Sequence, residues 1–125
     1  MIQKIIWLAI AGGLGTLARH GLSGFVHRIN GEHSHWGTVI VNLTGCFIAG
    51  IIWMLFEHRW SVSTETRTIV LVGFMGAFTT FSSLIIETSE LMRTAEWMRA
   101  GMNLAIHNGA GFAALFAGAA IGRML

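Results

Sequence analysis

Four apolar runs, at about residues 3–26, 37–56, 67–89 and 98–122, leave this chain few ways to fold. Each is close to the about 20 mostly apolar residues that carry a helix across a bilayer. The joints between them, His27 to Trp36, Glu57 to Thr66 and Glu90 to Trp97, are short and hold most of the charges. Trp7, Trp36, Trp60 and Trp97 fall near the predicted ends, where amphipathic rings favour the membrane–water interface, while Trp53 lies further inside. Charged residues make up 11% of the 125. A soluble domain carries about 25%, so this chain lacks the polar surface to dissolve as a monomer. The expected fold is one all-α integral membrane domain over residues 1–125, with four transmembrane helices in the lipid bilayer of the inner (plasma) membrane. The run after Lys4 is expected to be the first span and not a signal peptide, because no small-x-small cleavage site is followed by a polar mature chain.

Several function classes drop out. No basic cluster exists to follow a phosphate backbone, so no nucleic-acid partner is expected. The single Cys46 excludes an intrachain disulfide and any multi-cysteine metal site, and is expected to be a packed small residue. His33 and His35 form a weak metal pair and are expected in a solvated loop. No nucleophile–base pair suggests an enzyme. Gly12-Gly13-x-Gly15 has neither the preceding strand nor the following Lys-Ser/Thr of a phosphate-binding loop, so close helix contact is the better account of these glycines. The basic residues give a topological clue. With four spans, Lys4, Arg59, Arg67 and Arg123 fall on one side and Arg19, Arg28, Arg93 and Arg99 on the other, which accounts for all eight Lys and Arg. Four against four gives no preferred orientation under the positive-inside rule. Insertion both ways up, with assembly as an antiparallel homodimer, is the parsimonious expectation; the alternative is that a few residues near the interface, Arg19 especially, are counted on the wrong side.

The third span is interrupted at residues 73–83, Gly-Phe-Met-Gly-Ala-Phe-Thr-Thr-Phe-Ser-Ser. Non-helical backbone at membrane depth is tolerated only where protein or a water-filled path covers it, and such breaks mark ion or substrate sites. Thr38, Asn42, Gly45 and Ala49 lie on one face of the second span. A primary amide in hydrocarbon must be hydrogen-bonded, so Asn42 either bonds a neighbouring helix or offers its N–H to a passing solute. Asn103, His107, Gly111, Ala114, Gly118 and Gly122 share a face of the fourth span: small-xxx-small packing below, polar groups above, where His107 is either a structural group or a ligand. Ser83, Glu87 and Glu90 share a face after the break, and Glu87 is either a functional carboxylate or a helix-end residue reaching water. Arg19 either snorkels to the interface or gathers anions at a pore mouth. Hydroxyl and amide donors with aromatic edges suit a small anion, and carbonyls freed by the break suit a hard cation such as Na⁺.

Gly-Gly-x-Gly-x-x-x-Arg at 12–19, Gly-Thr-x-x-x-Asn-x-x-Gly at 37–45 and Gly-x-x-Gly-x-x-Thr-Thr-Phe-Ser at 73–82 resemble the motifs of the CrcB/Fluc fluoride channels, in order and over nearly the whole chain. The resemblance implies an antiparallel dual-topology homodimer with two fluoride pores. It gives Asn42 a hydrogen bond to fluoride, Phe81 a ring edge toward the ion, Ser82 and Ser83 a polar track, and Glu87 a place near a vestibule. It also implies a structural Na⁺ at the dimer centre, held by the carbonyls of Gly76 and Thr79 of both subunits. Two departures stand out. Leu84 replaces the second pore phenylalanine, and Gly111 and Leu115 stand where the fourth helix often brings hydroxyls, with His107 as the polar residue earlier in that helix. The competing functions are a small four-helix multidrug/proton exchanger, which would need a carboxylate in the first span where none precedes Glu32, and a non-conducting membrane assembly subunit.

Overall fold

The computed structural model describes residues 1–125 and is entirely helical. Helix α1 runs Ile2–Asn30 and α2 Trp36–His58. The third span, Thr64–Arg93, is two helices: α3 over residues 64–78 and α4 over Phe81–Arg93. Helix α5 runs Trp97–Met124. All four spans are long and apolar enough to cross a membrane, as expected; the first and third extend three or four residues beyond their apolar runs into the charged joints, the second and fourth only one or two beyond theirs.

Local chemistry sets the ends. Gly31, at φ 93°, turns the chain out of α1 while its N–H reaches the His27 carbonyl at 2.8 Å, a conformation that a glycine adopts without steric cost. Ser63 Oγ accepts the Thr66 N–H at 3.1 Å and so caps α3. Two π-helical stretches, Thr68–Met75 in α3 and Ile106–Ala110 in α5, carry no marker in the sequence and were not anticipated. π turns inside α-helices are frequent at functional sites.

The helices pack through backbone, not through large side chains. Lipid tails are as apolar as Leu, so helices in a membrane associate by close van der Waals approach at small residues. Helix α2 lies along the second half of α5. A Cβ on Gly118 would strike the Phe47 carbonyl, and one on Gly50 the Leu115 carbonyl. The lower stripe of the fourth span is thus a packing face. Helix α1 lies on α3, where Gly15 sits against the Phe74 carbonyl. Gly12 makes only an ordinary contact and Gly13 meets nothing in this chain, so of the three glycines Gly15 alone is needed here for close approach. Only 23 of 125 residues are buried, centred on Val41, Met75 and Phe78, while Leu14, Phe25, Val72, Ile86 and Phe116 face outward. That inversion suits a chain whose solvent is hydrocarbon.

Candidate functional site

The break in the third span occupies Thr79 and Thr80. Both are extended, at φ −85°, ψ 159° and φ −144°, ψ 112°. Breaking a helix orphans the last carbonyls of one half and the first N–H groups of the other. Three side chains answer that need. Asn42 reaches across from α2 and takes both backbone groups of Thr80: its Oδ1 accepts the Thr80 N–H at 2.8 Å and its Nδ2 donates to the Thr80 carbonyl at 3.0 Å. Thr80 Oγ1 accepts the Ser83 N–H at 3.2 Å, which caps α4. Arg19 Nε donates to the Ala77 carbonyl at 3.0 Å, placing a cation where the α3 dipole favours one. Gly45, one turn from Asn42, makes room: a Cβ there would collide with Thr79 Cγ2.

Asn42 therefore bonds a neighbouring element, and one of its two amide N–H groups remains. Its clasp has a second effect. The N–H that would ordinarily bond the Gly76 carbonyl belongs to Thr80, and Asn42 has taken it. The Thr79 carbonyl receives no backbone N–H at all. Both carbonyls are thus free for another partner. Arg19 is half-buried, bonded to α3 at the Ala77 carbonyl, and lines a cleft at the break.

Two clefts meet at the break. One, of about 220 Å³, is lined by Asn42, Cys46, Thr80, Phe81, Leu84 and His107 among others. The other, of about 280 Å³, is lined by Arg19, His20, Thr38, Thr80 and Ser83 among others. Thr80 borders both. Phe81 is 75% exposed and stands on the outside of the single chain, whereas Leu84, 4% exposed, turns inward. Cys46 is half-buried and free. Ser82 is exposed, 3.3 Å by its hydroxyl from that of Thr80, and Thr80 Oγ1 donates to Ser83 Oγ at 3.0 Å.

His107 is 9% exposed. Its Nδ1 lies 2.9 Å from the Asn103 carbonyl, which can only accept, so Nδ1 carries the proton and Nε2 is left as a buried atom without a partner. Asn103 Nδ2 donates to Thr88 Oγ1 at 3.0 Å, and Thr88 donates to the Leu84 carbonyl at 2.7 Å, which staples α5 to α4. Glu87 does not simply reach water: Thr38 Oγ1 donates to its Oε1, and its Oε2 is buried without a hydrogen bond. The sequence placed Thr38 on a polar face but not its partner, and nothing in the spacing singled out Thr88. His35, expected in a solvated loop, immediately precedes α2 without a side-chain capping bond, and its Nδ1 lies 3.7 Å from Glu87 Oε2. His35 thus lies in the joint, as expected, and its neighbour Glu87 was not visible in the sequence.

Apolar spanning helices, a break braced by an amide, and polar clefts meeting there together define a multi-pass membrane protein built around a site in its third span. The chain belongs to the CrcB-like family. The family model described as "CrcB-like protein, Camphor Resistance (CrcB)" matches residues 6–119. Curated relatives similar over their full length include the "Fluoride-specific ion channel FluC" of Desulforapulum autotrophicum, 54% identical, with all of both chains covered. Those of Nitrosococcus oceani and Solidesulfovibrio magneticus, with the same name, are 46% and 45% identical, again over all of both chains.

Proposed function

We propose that this protein is a passive, fluoride-selective channel through which fluoride leaves the cell, working as an antiparallel dual-topology homodimer. The observation that carries the reading is the full-length likeness to fluoride-specific channels, at up to 54% identity among the relatives above. The chemistry of the break supports it. An ion leaving water loses strong hydrogen bonds, and donors along the path must replace them. The remaining Asn42 N–H, the Ser82 and Ser83 hydroxyls and the positive edge of the Phe81 ring offer such donors without a fixed charge. The cleft beside Phe81 has no Lys or Arg in its lining, and weak sites let a conducted ion go again. Glu87 and His107 border this path, and Arg19 holds its inner end through α3.

The dimer is supported from two sides. The basic residues divide four against four, which favours both orientations equally. Phe81 and Gly76 lie on the outer surface of one chain, so a second copy is needed to wall a path past Phe81. For Na⁺, the Gly76 and Thr79 carbonyls fit: Asn42 diverts the usual donor of the first, and the second accepts no backbone N–H. Carbonyl oxygens suit a hard cation. Bound there, Na⁺ would supply charge balance to helix ends pointing their negative poles at it.

The test is fluoride release from liposomes holding the purified protein, read with a fluoride electrode against a chloride control. Fast fluoride release with little chloride release is expected, together with at least a tenfold loss, on the order of one displaced ligand (about 1.4 kcal/mol), in Phe81→Ala protein that still elutes as a dimer. Normal release by Phe81→Ala protein would overturn the assigned path, and no release by the wild type would overturn the function.

A further inference from the structure

We infer that Glu87 and His35 form a proton-operated electrostatic switch at the entrance of the anion path, with flux rising as His35 takes up a proton. The inference rests on the channel reading above. Three observations point to it. First, the Glu87 carboxylate is only half satisfied. Thr38 bonds Oε1, while Oε2 is buried and has no hydrogen bond. A carboxylate accepts at both oxygens, and a buried one left unpaired is costly. Second, the one group able to complete it is titratable. His35 Nδ1 lies 3.7 Å from Oε2, just beyond hydrogen-bond reach, with the two side chains 38% and 20% exposed.

Third, the pair stands between two clefts. Thr38, the other partner of Glu87, lines the cleft that reaches Thr80 and Ser83 at the break. His35 lines a separate cleft of about 390 Å³ with His33, Trp36, Arg99 and Asn103. An anion moving from the joints toward the break passes the field of this carboxylate. With His35 neutral, that field opposes it. With His35 protonated, an imidazolium faces Oε2 and the opposition is cancelled. Partly buried charges are screened far less than exposed ones, so the change is felt along the entrance. An unperturbed histidine changes charge between about pH 5 and 8.

The surrounding charges do not perform this role. On α1, Arg19 is bonded to Ala77, His20 lines the inner cleft, and His27 packs over Gly37, where a Cβ would lie 2.5 Å from its Nε2. In the joint, His33 shares the outer cleft; on α4, Glu90 is exposed; on α5, Arg99 is paired with Glu96 at 3.0 Å. Only His35 pairs with Glu87.

The test is fluoride release from liposomes at symmetric pH, stepped from about 8 to about 5.5 across the histidine range, with leak of undissociated acid subtracted using protein-free liposomes. Wild-type release should rise roughly tenfold, within the range that local fields change ion entry. His35→Gln should stay at the slow level at every pH, and Glu87→Gln at the fast level. His35→Lys, a permanent cation, should also be fast and flat, which keeps the test decisive if Glu87→Gln folds poorly. A flat wild-type profile, or a pH slope that survives in His35→Gln, would overturn the switch and leave the channel standing. Absence of release by the wild type at every pH would overturn both.

Discussion

Asn42 shows how one side chain can set a break. It accepts the Thr80 N–H that the break leaves without its helical acceptor, and also donates to the Thr80 carbonyl at the start of α4. Asn42→Ala removes two part-buried hydrogen bonds to the Thr80 backbone, a typical one contributing about 0.5–1.5 kcal/mol. The expected result is a clear fall in thermal midpoint in detergent together with loss of fluoride release. Phe81, exposed and bonded to nothing in its own chain, should show the opposite division: flux lost, stability kept. Measuring both quantities for both variants separates bracing from conduction. The sequence exposed half of this arrangement. A 4, 3, 4 spacing of small and polar residues put Asn42 on a face and demanded a partner, but spacing cannot say which neighbour supplies it. The same limit hid the Thr38–Glu87 bond and the approach of His35, because the partners lie 49 and 52 residues apart.

At the scale of elements, the helices are held by glycines whose importance depends on what they face. Gly118 lies under the Phe47 carbonyl, and Gly21 meets nothing within 4 Å. Gly118→Ala must push α2 and α5 apart, at a cost of roughly 1–3 kcal/mol for overpacking. Gly21→Ala should gain from helix propensity, up to about 1 kcal/mol. Thermal unfolding of the two variants in detergent should move in opposite directions, and a similar fall in both would refute the assigned seam. Four helices and an interrupted third span were legible because apolar length and turn-breaking residues are local signals. The π turns were not, since inserting one residue into a helical turn needs no special residue type. Gly13 and Gly15 looked equivalent in sequence, and only the position of α3 distinguishes them.

For the whole molecule, the even division of basic residues is the property to perturb. If both orientations are needed to build the dimer, biasing insertion should remove function without touching the site. Two added lysines in the joint that carries Arg59, beside Arg67, should drive most chains into one orientation. Cysteine labelling from each side of the membrane should then show a single topology, with fluoride release lost. Release should return on co-expression with a chain carrying the extra lysines in the joint near Arg93. Retained release by the biased chain alone would refute the antiparallel assembly.

The clasp between Asn42 and Thr80 also bears on how such a protein comes into being. The same two hydrogen bonds tie α2 to the break, divert the usual donor of the Gly76 carbonyl and border the cleft, so this arrangement exists only once the second and third spans have docked. A newly inserted chain whose second and third spans have not yet docked would lack the Asn42 brace at Thr80. On the proposed reading, permeability would then arrive only after these spans have docked.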